Sequence, residues 1–149
     1  MMVQLMPQLY HNLTSLCSAD NGFYYKDVQL DSTKYRIFNY RLCSYTSFNS
    51  HPSALNCRGT MFNINDPDNV LLVSLPPEKF FNYEEGNDCE QHELGQLGDQ
   101  MTKIDGSLIS TFLHFNKNNQ PIVRLKSKAS LISSQSCEAM ELLNGTVIC

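Results

Sequence analysis

What this sequence does not contain narrows it first. No apolar stretch approaches the roughly 20 residues needed to cross a membrane, so no membrane partner is expected. The first lysine or arginine is Lys26, so the N-terminus lacks the basic start of a secretory signal. A soluble, intracellular, cytoplasmic protein is the expectation. Six cysteines occur (Cys17, Cys43, Cys57, Cys89, Cys137 and Cys149), and none forms a C-x-x-C pair. That spacing gives no zinc site. With no sign of secretion, free thiols are expected rather than disulfides, and the sequons at Asn12 and Asn144 are read as chance matches. The histidines His11, His51, His92 and His114 show neither ligand nor triad spacing. Internal repeats and low-complexity segments are also missing.

What is present is enough for one packed domain: 149 residues, 42% hydrophobic and 17% charged. A net charge of −4 argues against a broad nucleic-acid-binding face. The charges are unevenly spread. Acids crowd the stretch from Glu84 to Glu93, and cations recur at Arg124, Lys126 and Lys128. A local cationic site on an acidic protein suits a nucleotide pocket better than a duplex-binding surface.

Leu5, Leu9, Leu13 and Leu16 recur at helical spacing and predict an amphipathic helix, beginning near Pro7. Asn21-Gly22 is a turn signal. Strands are expected over Lys34–Leu42 (Phe38, Tyr40 and Leu42 on one face), Cys57–Ile64 and Val70–Leu75. A turn at Asn65–Asn69 should join the last two, and Pro76-Pro77 should stop the pairing. Residues 84–100, polar and acidic, are expected to form a surface loop. Ser107–Phe115 and Ile122–Ser127 predict a hairpin joined through Lys117–Pro121. Ser133 or Ser134 should cap a helix that Gly145 stops, and Thr146–Cys149 has the look of a strand just starting.

The hairpin carries a geometric inference. Arg124, Lys126 and Lys128 alternate, so they share one strand face. A turn centred near Asn118 sets Lys128 opposite Leu108, close to Lys103-Ile104-Asp105-Gly106. Converging cations without acidic partners invite an anionic ligand. A solvated basic strand face is the alternative. Lys103 also stands where neighbouring cations could keep an amine deprotonated and nucleophilic, and Asp105-Gly106 permits close approach of backbone to a ligand.

Several motifs then follow in order. They are Tyr35-Arg36-Ile37-Phe38-Asn39-Tyr40, Cys57-Arg58-Gly59-Thr60-Met61-Phe62 and Glu78-Lys79-Phe80-Phe81-Asn82. Next come Thr102-Lys103-Ile104-Asp105-Gly106-Ser107-Leu108-Ile109-Ser110-Thr111 and Leu125-Lys126-Ser127-Lys128-Ala129-Ser130. The series resembles the tailed-phage tRNA-repair RNA ligases, ATP-dependent members of the covalent nucleotidyltransferases, over nearly the whole chain to about Gln135.

The resemblance implies an α+β fold: the N-terminal part of a nucleotidyltransferase (ATP-grasp-like ligase) domain, mostly antiparallel sheet with an N-terminal helix. It implies ATP and Mg²⁺ as cofactors, RNA (tRNA among the candidates) as partner, and a host-cell cytoplasm if the chain is phage-encoded. Lys103 matches the lysine that attacks the α-phosphate of ATP and carries AMP. Arg58 matches the arginine that contacts the nucleotide, Lys79 a phosphate-site lysine, Phe81 a nearby aromatic, and Tyr40 a nucleotide-contacting tyrosine. Lys128 matches a further essential lysine, with Lys126 beside it; Asp105 and Gly106 complete the nucleophile motif. A DNA ligase or capping-type nucleotidyltransferase is the alternative enzyme, and a non-catalytic nucleotide- or RNA-binding remnant the alternative of another class.

The family's downstream motifs, an acid after an aromatic, a Glu-Gly strand and a late lysine pair, are not found after Lys128. Residues 1–149 are therefore expected to be a partial adenylyltransferase domain, whether a fragment, a split-gene product completed by a separately encoded C-terminal ligase piece, or a degenerate version.

Overall fold

The structure is a computed structural model that describes residues 2–81 and 98–145, without the side chains of 2–6 and 144. It opens with helix α1, Met2–Ala19. α1 starts more than a turn before Pro7, earlier than the proline suggested, and Pro7 therefore sits inside it without a hydrogen bond to donate. Leu13 and Leu16 are the fully buried positions of its apolar stripe.

Two strands follow, β1 (Phe23–Leu30) and β2 (Thr33–Tyr40), paired antiparallel from Phe23↔Tyr40 to Leu30↔Thr33. β1 was not expected from the sequence. It is an edge strand and largely exposed, so Lys26, Asp27 and Gln29 blur its alternation. β2 ends at Tyr40, and Leu42 lies beyond it, fully exposed rather than facing in with Phe38. A short helix α2 (Tyr45–Asn49) and a 3-10 turn (Ala54–Asn56) come next, and residues 57–60, the first part of the strand expected over 57–64, form no strand. Only β3 (Met61–Asn63) remains of it, followed by β4 (Leu71–Ser74). The sheet order is β1-β2-β3-β4, antiparallel throughout.

The expected hairpin is present as β5 (Ser110–Phe115) and β6 (Pro121–Lys126). Its register, Ser110↔Lys126 through Phe115↔Pro121, is the one a turn near Asn118 requires, though the ladder stops short of Lys128. Helix α3 (Ser134–Asn144) ends the described chain. Ser133 caps it, its hydroxyl accepting from the Ser136 N–H at 3.2 Å, and Gly145 stops it in the left-handed conformation. The fold is α+β, with antiparallel sheets and an N-terminal helix, as the resemblance implied at that coarse level. The loop over 84–100 falls mostly outside the described residues, and Thr146–Cys149 wholly outside.

β2 is covered on both faces. Phe38 joins Leu13, Leu16, Phe23, Phe48 and Phe62 in an apolar cluster under α1. Tyr35 and Ile37 join Met61, Phe112 and Leu131 in a second cluster under the hairpin. Polar bonds strengthen the hairpin's docking. The buried His114 ring meets the Tyr35 hydroxyl through Nδ1 at 2.8 Å and Asp31 Oδ2 through Nε2 at 2.9 Å. Asp31 sits at φ 52 in the β1–β2 turn, where aspartate tolerates left-handed backbone. The thiols of Cys17, Cys43 and Cys57 are free as expected, but Cys137 is disulfide-bonded.

Candidate functional site: a cation-lined cavity

Residues 126–130 leave β6 and turn back across the end of β2. Two features let this backbone come close. Gly59 has φ +92, and a Cβ there would stand 2.8 Å from the Lys128 carbonyl oxygen, so no other residue fits without movement. Asn39, buried on β2, donates from Nδ2 to the same carbonyl at 2.9 Å. Its Oδ1 has no hydrogen-bond partner among the described residues. Ser127 closes the turn, its N–H donating to the Ser130 carbonyl at 2.9 Å.

This packing sets the cations. Arg124 and Lys126 do share a face, but that face turns inward onto the sheet. Lys126 is completely buried and its Nζ donates to the Ser127 carbonyl at 3.2 Å. The solvated basic face is thereby excluded for Lys126. Burial pulls its pKa down to about 8. Lys128 lies over the Tyr40 ring, Nζ 3.7 Å from the centroid. Burial first, then the charge of Arg58, with Lys79 adding less, lowers its pKa. Lys79 lies 4.1 Å over the Phe81 ring and Arg58 5.2 Å over Phe80. Arg58 also donates to the Pro77 carbonyl at 3.3 Å. Among the described residues none of these four cations pairs with a carboxylate.

Beside them opens a cavity of about 430 Å³, lined by Tyr40, Arg58, Gly106, Ser107, Leu108, Ser127, Lys128, Ala129 and Gln135. Tyr40, Arg58, Gly106 and Lys128, singled out from four separate stretches of sequence, meet here. Lys79 and Phe81 do not line it: Lys79 acts on Lys128 through its charge, and Phe81 packs against the apolar cluster under α1. Lys103 and Asp105 do not line the cavity. Both are exposed on residues 98–109, which form no strand, contrary to the expectation that β5 begins at Ser107. No ladder holds Lys103 against Lys126 and Lys128, so the expected fourth cation is not part of the cluster. Its motif reaches the cavity through Gly106, where an added Cβ would meet nothing within 4 Å.

Asn39 and Gly59, which hold the Lys128 backbone, are positions that residue chemistry alone had not singled out. Their signal was available: a polar amide inside an aromatic strand, and a glycine between Arg58 and Thr60. No protein-family model matches the chain. No group of three or more His, Cys, Asp or Glu among the described residues could hold a metal ion.

Proposed function

We propose that this chain is the nucleotide-binding N-terminal portion of an ATP-dependent RNA ligase, a partial nucleotidyltransferase domain that carries AMP on Lys103. The observation that supports it is the meeting of Tyr40, Arg58, Gly106 and Lys128 around one cavity whose cations have no acidic partner among the described residues. Arg58, Lys79 and Lys128 would neutralise a triphosphate and the Tyr40 ring would stack on its base, whereas Phe81 packs on Phe48 away from the cavity lining. Lys128 now covers one face of Tyr40, so an anion that draws the ammonium away also uncovers the ring.

In the reaction the Lys103 amine would attack the α-phosphorus. An N–P bond forms, the P–O bond to pyrophosphate breaks, and the amine loses a proton. The complete enzyme would pass AMP to a 5′-phosphate of RNA, tRNA among the candidates, and then join that end to a 3′-hydroxyl. Among the described residues no three or more His, Cys, Asp or Glu gather to hold Mg²⁺, which would be carried by the phosphates. A separately encoded fragment carrying the later motifs would supply the remaining contacts.

A second reading is a nucleotide- or RNA-binding remnant without chemistry. The exposure of Lys103, outside the cavity lining, favours it. Incubation with α-labelled ATP and Mg²⁺ separates the two. The ligase reading expects label on Lys103, lost in Lys103→Ala, Arg58→Ala and Lys128→Ala. The last two should still unfold cooperatively on heating, so that their loss of label reports on the nucleotide and not on folding. Label on Lys126 or Lys128 that persists in Lys103→Ala overturns the assignment. ATP binding without covalent label establishes the remnant.

A further inference from the structure

We propose that Asp105-Gly106 is a site of spontaneous modification, where the aspartate converts to isoaspartate through a cyclic imide and disables the Lys103 motif. Only the effect on Lys103 rests on the function proposed above; the isomerisation does not.

The sequence holds three steps of this kind: Asn21-Gly22, Asp105-Gly106 and Asn144-Gly145. In each, the glycine nitrogen can attack the side-chain carbonyl carbon of the residue before it and close a five-membered ring. Glycine has no Cβ to hinder the approach. An asparagine side chain loses ammonia more readily than an aspartic acid loses water, so the sequence alone ranks both asparagines ahead of Asp105.

The structure reverses that order. The Gly22 N–H donates to the Asp20 carboxylate at 2.7 Å, away from Asn21. The Gly22 carbonyl accepts from the Arg41 N–H at 2.8 Å and from the Cys43 thiol at 3.1 Å, so this glycine is held from both sides. The Gly145 N–H donates to the Glu141 carbonyl at 2.7 Å in the cap of α3. Gly106 differs from both. Its N–H donates to Oδ1 of Asp105 at 3.0 Å, which sets the attacking nitrogen beside the carboxyl group it must reach. Asp105 and Gly106 are exposed and belong to no helix or strand, and an added Cβ at Gly106 would meet nothing within 4 Å. Backbone without a ladder or a packed neighbour can turn into the ring-closing geometry at little cost.

The step needs water alone. The Gly106 nitrogen bonds to Cγ of Asp105 and gives up its proton, the protonated carboxyl gives up its hydroxyl, and the two leave as water. Water then opens the ring. Attack at Cγ restores aspartate. Attack at the former main-chain carbonyl leaves the chain running through Cγ, as isoaspartate, with no change of mass. The backbone between Lys103 and Gly106 gains one methylene, and a carboxylate now hangs from Cα. Gly106 and Ser107, which line the cation cavity, are thereby shifted relative to Lys103.

The test incubates the full chain warm at neutral pH and maps its peptides for isoaspartate, using a protein-isoaspartate methyltransferase and labelled S-adenosylmethionine. Methyl label should build up at Asp105 before Asn21 or Asn144 deamidates, and Asp105→Glu should lose it. In urea, where these hydrogen bonds are gone, Asn21 should react ahead of Asp105. Asp20→Ala, which releases the Gly22 N–H, should speed deamidation of Asn21 in the folded chain. Asn21 or Asn144 reacting ahead of Asp105 in the folded chain, or one order in both folded chain and urea, overturns the proposal. Labelling of Lys103 by α-labelled ATP should fall in step with isoaspartate. Undiminished labelling of an isomerised chain overturns the effect on the motif. A chain that isomerises at Asp105 but takes no AMP even when fresh refutes the proposed function and leaves the modification standing.

Discussion

Lys126 shows how one side chain can oppose the fold that surrounds it. An unfolded lysine titrates near pH 10.4, at about 1.36 kcal/mol per pKa unit. With a folded value of about 8, the native state below that pH carries a charge that costs roughly 3 kcal/mol. As pH rises from 8 towards 10.4 the folded protein releases its proton first. The unfolded chain then binds more protons, and stability from this group increases. Lys126→Met should therefore be the more stable protein at pH 7, and its advantage should shrink above pH 8. Urea titrations of both proteins across this range will show it; a constant difference would mean that Lys126 is not the titrating group. The sequence showed that Arg124, Lys126 and Lys128 alternate. It could not show that their shared face is covered, because periodicity names which residues point together and not what meets them. Lys103 illustrates the same gap. Its motif was legible, but its place in space depends on a segment that no strand pairing fixes.

Elements with strong local signals were legible: α1, the Asn65–Asn69 turn, β4, the β5–β6 register and both caps of α3. β1 was not, because an exposed edge strand has no apolar face to announce it. α2 and the 3-10 turn were not either, since pieces of five and three residues carry too little periodicity. The Tyr35–His114–Asp31 chain was invisible for another reason. Its members are 79 and 83 residues apart, and only the docking of hairpin on sheet joins them. That chain makes docking measurable. Tyr35→Phe and His114→Leu each leave a buried polar partner unsatisfied, at about 1–3 kcal/mol. Together they remove both partners, so the pair should cost less than the sum. A double-mutant cycle by denaturant unfolding should give a coupling of about 0.5–3 kcal/mol, whereas strict additivity would mean the bond does not hold the hairpin.

At the scale of the molecule, the hairpin's outer face stands out. Leu113 pairs directly with Val123, Phe115 lies alongside, and all three are about half exposed. An apolar strip of this kind favours association in water. Sedimentation at rising concentration should show reversible self-association, weakened in Leu113→Lys. A monomer at all concentrations would remove that expectation. Beneath the strip lies β2, whose neighbouring residues Ile37 and Phe38 belong to opposite apolar clusters. It is a single partition serving two compartments, one closed by α1 and the other by the hairpin. Neither compartment can empty while the other stays intact, because the partition would lose the packing on one side. Helix α1 and the β5–β6 hairpin thus lean on one strand from its two sides, and loosening either removes support from the other.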